Sequence, residues 1–411
     1  MASNTPANFG AYLGASSLWL AGMSLQGLLF TALMVVVLDQ GADVTGRARL
    51  IAELPPLLIL VLGSWIGDRW DQRTTLLVLH LLVALPPLVL LTVSQFGVLS
   101  YGWVVAFSAS MASLQALSDP ARQSVLSRVA SLDIQRAVTL TTIVTSSVGL
   151  AGFVIGSQLD DWGLARVVSA QALLFATGAV LVYRLPALPG LAPERARESL
   201  ISGLGAGFRA VLDNNLIRTA LGLNMLSSLF NAGAYVVALP YLINEVYDGS
   251  TGAIGTAMIV FTLGGIGSNL VLFRFMPLAR PGRLFLLMQL TRTVILIGLW
   301  LQPPYEVFYA LLLCWGLNMG VTTTMVRSMI QEAAPATSRS QILSLLLLSF
   351  MVSSPISALL LGELVSVAGA LTALLPGIGI SLVIFLLGTR LSGLWRYESP
   401  SMRRSRTAAS T

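Results

Sequence analysis

Apolar residues run along this chain in long stretches that short polar turns separate. Each stretch approaches the roughly 20 residues that an α-helix needs to cross the hydrocarbon core of a bilayer. The sequence therefore predicts an all-α membrane protein with twelve transmembrane helices. We place these helices at residues 14–37, 48–67, 75–94, 100–117, 137–157, 164–183, 217–240, 252–273, 284–301, 307–326, 341–361 and 371–390.

The widest polar gap in this pattern follows the sixth apolar stretch, at residues 184–216. It contains Pro186, Pro189 and Pro193 together with a run of mixed charges, which is typical of an interdomain linker. The gap predicts two pseudo-symmetric bundles of six helices each. The predicted regions are an N-terminal bundle at 1–184, a cytoplasmic linker at 185–216, a C-terminal bundle at 217–391 and a cytoplasmic tail at 392–411.

Composition supports a membrane protein, because 55% of the residues are hydrophobic, 10% are charged and the mean hydropathy is +0.81. The surface of a soluble domain needs about 25 to 35% charged residues.

All 24 basic residues are arginines. If the turn at 67–74 is cytoplasmic, only Arg47, Arg49 and Arg166 lie on the opposite side and Arg292 lies inside a helix. This asymmetry predicts an inner-membrane protein with both termini in the cytoplasm, and it makes the net charge of +6 an orientation signal rather than a nucleic-acid patch.

Several chemistries are excluded by what the sequence lacks. Without lysine there is neither a phosphate-binding Gly-x-x-x-x-Gly-Lys loop nor a Schiff-base lysine. The single histidine, His80, excludes a His-Glu-x-x-His zinc motif, and the single cysteine, Cys314, excludes an internal disulfide. We therefore predict that the chain is not an enzyme and that it has no cofactor and no metal site.

A cluster of charges separates the second and third apolar stretches. It consists of Asp68, Arg69, Asp71 and Arg73. A charge at the bilayer centre costs at least ~2.5 to 3.5 kcal/mol, so this turn must lie at a membrane surface. The pattern resembles the Gly-x-x-x-Asp-Arg-x-Gly-Arg-Arg/Lys motif of the major facilitator superfamily of transporters. An acid at the position of Asp71 resembles the motif variant of the enterobactin-exporter-like branch of that superfamily. Gln72 departs from both versions of the motif.

The resemblance extends to two further stretches, residues 119–123 and 327–339. It implies two six-helix bundles that rock about a site near the bilayer midplane. It also implies a cytoplasmic latch, in which Asp68 meets the N-terminus of helix eleven while Arg122 or Arg128 neutralises its other side. The alternative is that these charges only orient and solvate the protein.

The resemblance further implies that helices one, four, seven and ten line the transport cavity. No Asp or Glu lies deep in these four helices, so the cavity suits a bulky amphipathic solute. The alternative for each amide is an interhelical hydrogen bond, typically worth ~0.6 kcal/mol. The candidate substrate-binding residues are Gln26, Gln115, Asn224, Asn231, Trp315 and Asn318.

Glu53 is the acid that lies deepest in a predicted span, and an intramembrane acid is a candidate proton carrier. The alternative is that Glu53 lies near the outer surface and pairs with Arg49, four residues away on the same helix face. We expect His80 and Glu363 near the membrane surfaces. Arg292 should face protein or extend its head group towards water.

These observations favour a monomeric secondary transporter that exports a small organic amphiphile, siderophore-like or drug-like, by alternating access in exchange for protons. Its partners would be that solute, protons and the lipid bilayer, without nucleic acid. Export rests on the resemblance. The alternatives are a nutrient or lipid importer of the same fold, or a transport-dead membrane receptor or scaffold.

Overall fold

A computed structural model describes most of the chain. The described residues are 6–131, 134–189, 200–276, 278–335 and 339–399. Within these ranges, the side chains of residues 58, 60–69, 134–136, 138–139, 200–204, 206, 339–340 and 391 lie outside the description. The chain divides into two compact units, of which the first comprises Met1–Glu198 with Ile243–Ile259 and the second Ser199–Leu242 with Val260–Thr411.

Among its described residues, the first unit contains six helical segments long enough to cross a membrane. Two of the helices, α3 and α4, meet at Ala84 and together form a single segment at Gln72–Gln95. The helices are α1 (Pro6–Ala32), α2 (Ala42–Arg69), α3 (Gln72–Val83), α4 (Leu85–Gln95), α5 (Tyr101–Val129), α6 (Ile134–Ser157) and α7 (Leu159–Tyr183).

The second unit also contributes six long segments, and it begins with an additional helix inside the predicted linker. Its helices are α8 (Leu200–Asp213), α9 (Asn215–Gly233), α10 (Leu239–Tyr241), α11 (Thr251–Phe275), α12 (Pro281–Trp300), α13 (Tyr305–Ala333), α14 (Arg339–Ala368) and α15 (Leu375–Leu391). The start of α11 groups with the first unit. The domain boundaries that we inferred from the sequence stay a prediction.

Ten helical segments of the described residues are long and apolar enough to cross a membrane. The two remaining predicted spans, 48–67 and 100–117, lie on α2 and α5, which are 28 and 29 residues long. The predicted span on α5 contains no charge, but its serines and Gln115 lower its mean hydropathy, and on α2 the side chains of residues 58 and 60–69 lie outside the description. The predicted all-α membrane fold is confirmed.

The first long helix of each unit ends in a wider π turn. In the first unit the turn spans Leu33–Val37, and in the second unit it spans Ala234–Ala238. A further π turn spans Leu242–Val246, most of which groups with the first unit. A π turn inserts extra backbone per turn and rotates the side chains that follow it. The side chains at the end of the first long helix of each unit are therefore rotated relative to those of a regular α-helix.

Glycines allow several helix pairs to approach closely. Gly149, Gly152 and Gly156 on α6 face α1, and a Cβ atom at Gly152 would lie 2.0 Å from the carbonyl oxygen of Ala21. In the second unit, a Cβ atom at Gly316 on α13 would lie 1.9 Å from the carbonyl oxygen of Phe261 on α11. Small residues at such crossings let two backbones touch.

Candidate functional site

A cavity of about 240 Å³ lies within the second unit. Helices α9, α11, α12, α13 and α14 and the π turn at Ala234–Ala238 contribute side chains to its wall. The residues that define its chemistry are Asn224, Asn231, Tyr235, Phe261, Arg292 and Trp315. This volume is slightly below the roughly 300 to 1,000 Å³ of pockets that enclose drug-sized ligands. It can hold a small molecule or the head group of a larger one.

Three aromatic rings form one side of the cavity. The rings of Tyr235 and Phe261 stack with their centroids 4.1 Å apart, and Trp315 meets Phe261 edge-on at 5.6 Å. The π turn supplies Tyr235, while the close crossing of α11 and α13 at Gly316 brings Phe261 and Trp315 together. Such a wall offers apolar contact and ring stacking to a solute.

Two amides on α9 form a polar side of the same cavity. Asn224 is 3% exposed and its Nδ2 atom has no partner among the described residues. Asn231 donates from Nδ2 to the carbonyl oxygen of Ser227 at 2.8 Å, whereas its Oδ1 atom is buried without a described partner. Buried polar groups in proteins are nearly always hydrogen-bonded. These atoms could be satisfied by a ligand or by water in the cavity.

Arg292 also lines the polar side of the cavity, and it is 4% exposed. Its Nε atom donates to Oδ1 of Asn318 at 3.0 Å, and Nη1 donates to Oγ of Ser227 at 2.6 Å. Nη2 donates to Oγ1 of Thr322 at 3.3 Å, and Oε1 of Gln289 lies 3.5 Å from Nη1. The guanidinium group is therefore held by α9, α12 and α13 through uncharged oxygen atoms.

None of the ion pairs that the described residues form involves Arg292. Burying an ionised group without a counter-charge costs several kcal/mol even after the protein relaxes. An arginine does not escape this cost by losing its proton. The sequence left open whether Arg292 faces protein or extends its head group towards water, and the structure shows it facing protein. Its partners and its place in the cavity were not predicted. The available signal was a single charge in the middle of an apolar span.

The predicted substrate-binding residues are thus partly brought together. Asn224, Asn231 and Trp315 line one cavity, whereas Asn318 contributes indirectly by holding Arg292. Asn318 also donates to the carbonyl oxygen of Met288 at 2.6 Å. Phe261 and Arg292 were not among the predicted binding residues. They lie outside the four helices that, according to the resemblance, line the transport cavity.

Gln26 and Gln115 lie in the first unit and bond to side chains of neighbouring helices. Gln26 donates to Oγ of Ser108 at 2.9 Å. Gln115 accepts a hydrogen bond from Nε1 of Trp19 at 2.5 Å and donates to Oδ1 of Asp119 at 2.8 Å. These contacts link α1 to α5, which agrees with the alternative that both amides are structural.

The charged turn before α3 is tied to the end of α7. Asp71 is the N-cap residue of α3 and accepts from the backbone and hydroxyl of Thr74 at 2.8 Å each and from the amide of Leu188 at 2.6 Å. Burial raises the pKa of Asp71, but these hydrogen bonds and the charge of Arg73 outweigh burial and lower the pKa below its usual value. Arg73 donates to the carbonyl oxygen of Tyr183 at 2.7 Å.

The latch residues are described only in part, because the side chains of Asp68 and Arg69 lie outside the described residues. Arg122 pairs with Asp119 and lies over the ring of Trp19, with its Cζ atom 5.0 Å from the ring centre. Arg128 donates to the carbonyl oxygen of Pro189 at 2.6 Å. The ion pair with Asp119 was not predicted. The latch itself stays a prediction.

Glu53 accepts from Nε of Arg49 at 2.5 Å, and both side chains are about one-fifth exposed. This is the geometry of the alternative in which the two residues form a pair along α2. A second pair of the same type, Asp43 with Arg47 at 3.4 Å, lies nearer the start of that helix. The role of Glu53 in proton coupling stays a prediction.

His80 is buried rather than exposed at a surface, with 1% of its area accessible. Its Nδ1 atom lies 2.8 Å from the carbonyl oxygen of Leu76, and its ring meets the Trp19 ring edge-on at 4.7 Å. Nε2 makes no hydrogen bond of good geometry among the described residues, although the backbone of Ala15 interacts with the ring. His80 is therefore a second candidate for proton binding in the first unit.

The chain matches a known family and known folds. The sequence profile of the Major Facilitator Superfamily matches residues 15–358. No curated protein matches the chain in sequence. Among solved structures, the nucleoside transporter NupG is 14% identical with a TM-score of 0.73, and the match covers 94% of this chain and 99% of the other.

Two further structures are similar over nearly their whole length. A D-xylose-proton symporter is 12% identical with a TM-score of 0.71, covering 95% of this chain and 98% of the other. A POT family transporter in complex with 5-aminolevulinic acid is 13% identical with a TM-score of 0.70, covering 94% and 97%. At these identities the similarity shows the fold alone.

Proposed function

This chain belongs to the Major Facilitator Superfamily, and from that premise we propose that it exports a small organic amphiphile, siderophore-like or drug-like, across the inner membrane. It is a multi-pass membrane transporter and not an enzyme. In our proposal the chain acts as a monomer, works by alternating access and exchanges the solute for protons.

The observation that carries the proposal is the cavity of the second unit. It combines an aromatic wall at Tyr235, Phe261 and Trp315 with buried polar atoms on Asn224 and Asn231. A few polar groups in an apolar cavity are the usual composition of a site for a small organic molecule. The residues lie near the middle of their helices, where transporters of this type bind substrate.

Export is proposed because the turn at 63–73 resembles the exporter-like branch. An importer is the main alternative, since a nucleoside transporter and a D-xylose-proton symporter share the fold. Cells that express the chain can be preloaded either with a labelled catecholate siderophore or with a fluorescent dye, and the retained amount measured over time. Export predicts faster loss of at least one probe than in cells without the chain. Faster uptake from outside without faster loss would contradict export.

The latch provides the first prediction. Replacing Asp68 by Asn keeps the shape of the side chain but removes the charge that the latch needs. We expect the efflux rate of the exported probe to fall by roughly tenfold, the equivalent of ~1.4 kcal/mol, while the protein still inserts.

The matched control is Asp71→Asn, three residues away. Asparagine is also a good N-cap, so this variant should keep α3 and most of the efflux. Efflux by the Asp68→Asn variant at the wild-type rate would remove the latch from the proposal. If neither the wild type nor the variants move any probe although they bind one, the receptor alternative is favoured.

The proposed orientation is tested with two exposed serines in a background where Cys314 is replaced by Ser. Ser131 follows α5 on the proposed cytoplasmic side, and Ser100 precedes α5 on the other side. A cysteine at Ser100 should react with an impermeant maleimide in intact cells, whereas a cysteine at Ser131 should react only after the cells are opened. The reverse pattern would overturn the orientation.

A further inference from the structure

The position of Arg292 indicates what charge the transported solute carries. It is residue 12 of the 20 in α12, so it lies roughly 16 Å along the helix from Pro281. An arginine at this depth is far from both surfaces of a bilayer. This position does not fit an arginine that extends its guanidinium group to the membrane surface.

The hydrogen bonds of Arg292 hold the guanidinium group without neutralising it. Ser227, Asn318 and Thr322 each supply an uncharged oxygen atom at 2.6 to 3.3 Å. These bonds fix the plane of the group, which reduces the conformational freedom lost when a ligand binds. A preformed anion site requires a positive group that is held in place and is not neutralised by a carboxylate of the protein.

The helices around Arg292 offer no internal counter-charge at its depth. The sequences of α9, α11 and α12 contain no Asp or Glu. On α13 the acids are Glu306 in the first turn and Glu332 near the last residue, and on α14 the acid is Glu363, near the end of that helix. A counter-ion for Arg292 must therefore come from outside these spans.

The cavity gives such an anion access to Arg292. Arg292 lines the cavity together with Asn224, whose Nδ2 atom is a buried donor without a described partner. Aromatic rings of Tyr235, Phe261 and Trp315 face the same space. Arginine binds carboxylate and phosphate groups strongly because its donors match two oxygen atoms at once.

We propose that Arg292 binds the anionic group of the transported solute, so that the substrate of the second unit is a small organic anion with an aromatic or apolar part. The inference rests on the proposed transport function and assigns its substrate class. The carboxylate or phosphate enters beside Arg292 and Asn224, and the apolar part lies against the aromatic wall.

Binding can be tested with the purified full chain in nanodiscs of phosphatidylcholine, with benzoate as the probe and benzyl alcohol as its uncharged counterpart. Isothermal titration should give a dissociation constant for benzoate that is roughly tenfold or more below that for benzyl alcohol. Equal affinity for the two probes, or no binding of benzoate, would overturn the proposal.

Gln289→Glu is the sharpest variant, because Nε2 of Gln289 is buried without a described partner and its loss breaks no described hydrogen bond. The new carboxylate would lie beside Nη1 of Arg292 and neutralise it from within. We expect the affinity for benzoate to fall roughly tenfold or more while the unfolding temperature of the free protein stays equal or rises. Unchanged benzoate affinity in this variant would show that Arg292 is only structural.

Arg292→Gln and Arg292→Lys complete the series. The glutamine variant should lose benzoate binding, and the lysine variant should recover part of it because it restores the charge without the planar group. If the glutamine variant does not fold, the Gln289→Glu result still decides. Full benzoate affinity in Arg292→Gln would also overturn the assignment.

Anionic lipid is a second source of the same chemistry. Repeating the titration in nanodiscs that contain phosphatidylglycerol should leave benzoate binding unchanged if the site takes a solute. Loss of binding there would assign the site to a lipid head group and contradict the proposal. Because binding is measured without transport, a chain that binds benzoate but moves no solute would refute the transport function and leave the anion site intact.

Discussion

Replacing Gly316 by Val is expected to abolish the accumulation of folded protein. The new Cβ atom would lie 1.9 Å from the carbonyl oxygen of Phe261 and 2.8 Å from its carbonyl carbon, and the backbone of α11 cannot yield as a side chain can. Overpacking usually costs about 1 to 3 kcal/mol, and a clash with backbone should reach or exceed the upper end. That is a large fraction of the roughly 5 to 15 kcal/mol that stabilises a folded protein.

Gly379→Val is the matched control, because Gly379 also lies inside a helix of the second unit but no atom lies within 4 Å of the position that a Cβ atom would take there. We expect a change of about 0.5 kcal/mol or less for this variant. The yield of monodisperse protein and its unfolding temperature should separate the two variants. Equal yields and unfolding temperatures would mean that α11 and α13 do not cross closely at Gly316.

The same crossing links the fold to the site. Gly316 is adjacent to Trp315, and its contact residue Phe261 forms the neighbouring part of the aromatic wall. A milder variant, Gly316→Ala, should therefore widen the distance between these rings even where the protein still folds. The shape of the cavity depends on a residue that contributes no side chain to it.

The fold was predictable because span length and apolarity are properties of the sequence itself. The hydrophobic pattern alone predicts long spans in both halves of the chain, and turn charges such as those of Asp71 and Arg73 mark one end of a span. Asn224, Asn231 and Trp315 could be selected by helix and residue type, and they do line one cavity.

The partners of these residues could not be predicted, for a physical reason. A helix that is apolar on every side has no polar face from which its rotation can be read. The π turn at Ala234–Ala238 further rotates the side chains of this helix, and the hydrophobic pattern does not indicate this rotation. The contacts of Arg292 to Ser227 and Asn318 were therefore not predictable, whereas Phe261 was missed because it lies on α11, outside the four helices implied by the resemblance.

The first unit shows the same limit for its polar residues. Gln26 and Gln115 were placed on the right helices, yet both bond to neighbouring side chains across α1 and α5. His80 lies against Trp19 among buried side chains of the unit, a contact that the sequence did not predict. Residue type and depth indicate candidates, but only packing decides which of them meet.

Replacing Glu53 by Gln is expected to abolish uphill export driven by a pH difference, while solute binding and downhill exchange continue. In our proposal the carboxylate binds a proton once per cycle and separates from Arg49, with which it forms a pair at 2.5 Å. Glutamine keeps the shape but binds no proton. The measurement is substrate-induced proton release by the purified protein, followed across a range of pH around neutrality.

Asp43→Asn is the matched control, since Asp43 and Arg47 form the same type of pair one helical turn or more towards the start of α2. An exposed pair of this kind contributes about 0 to 1 kcal/mol, so its loss should alter neither stability nor proton release noticeably. If Glu53→Gln behaves like Asp43→Asn, the pair with Arg49 is structural. Proton coupling would then pass to His80, to Glu363 or to an ionisable group of the solute. Loss in His80→Asn of the proton release that Glu53→Gln left intact would assign the coupling to His80.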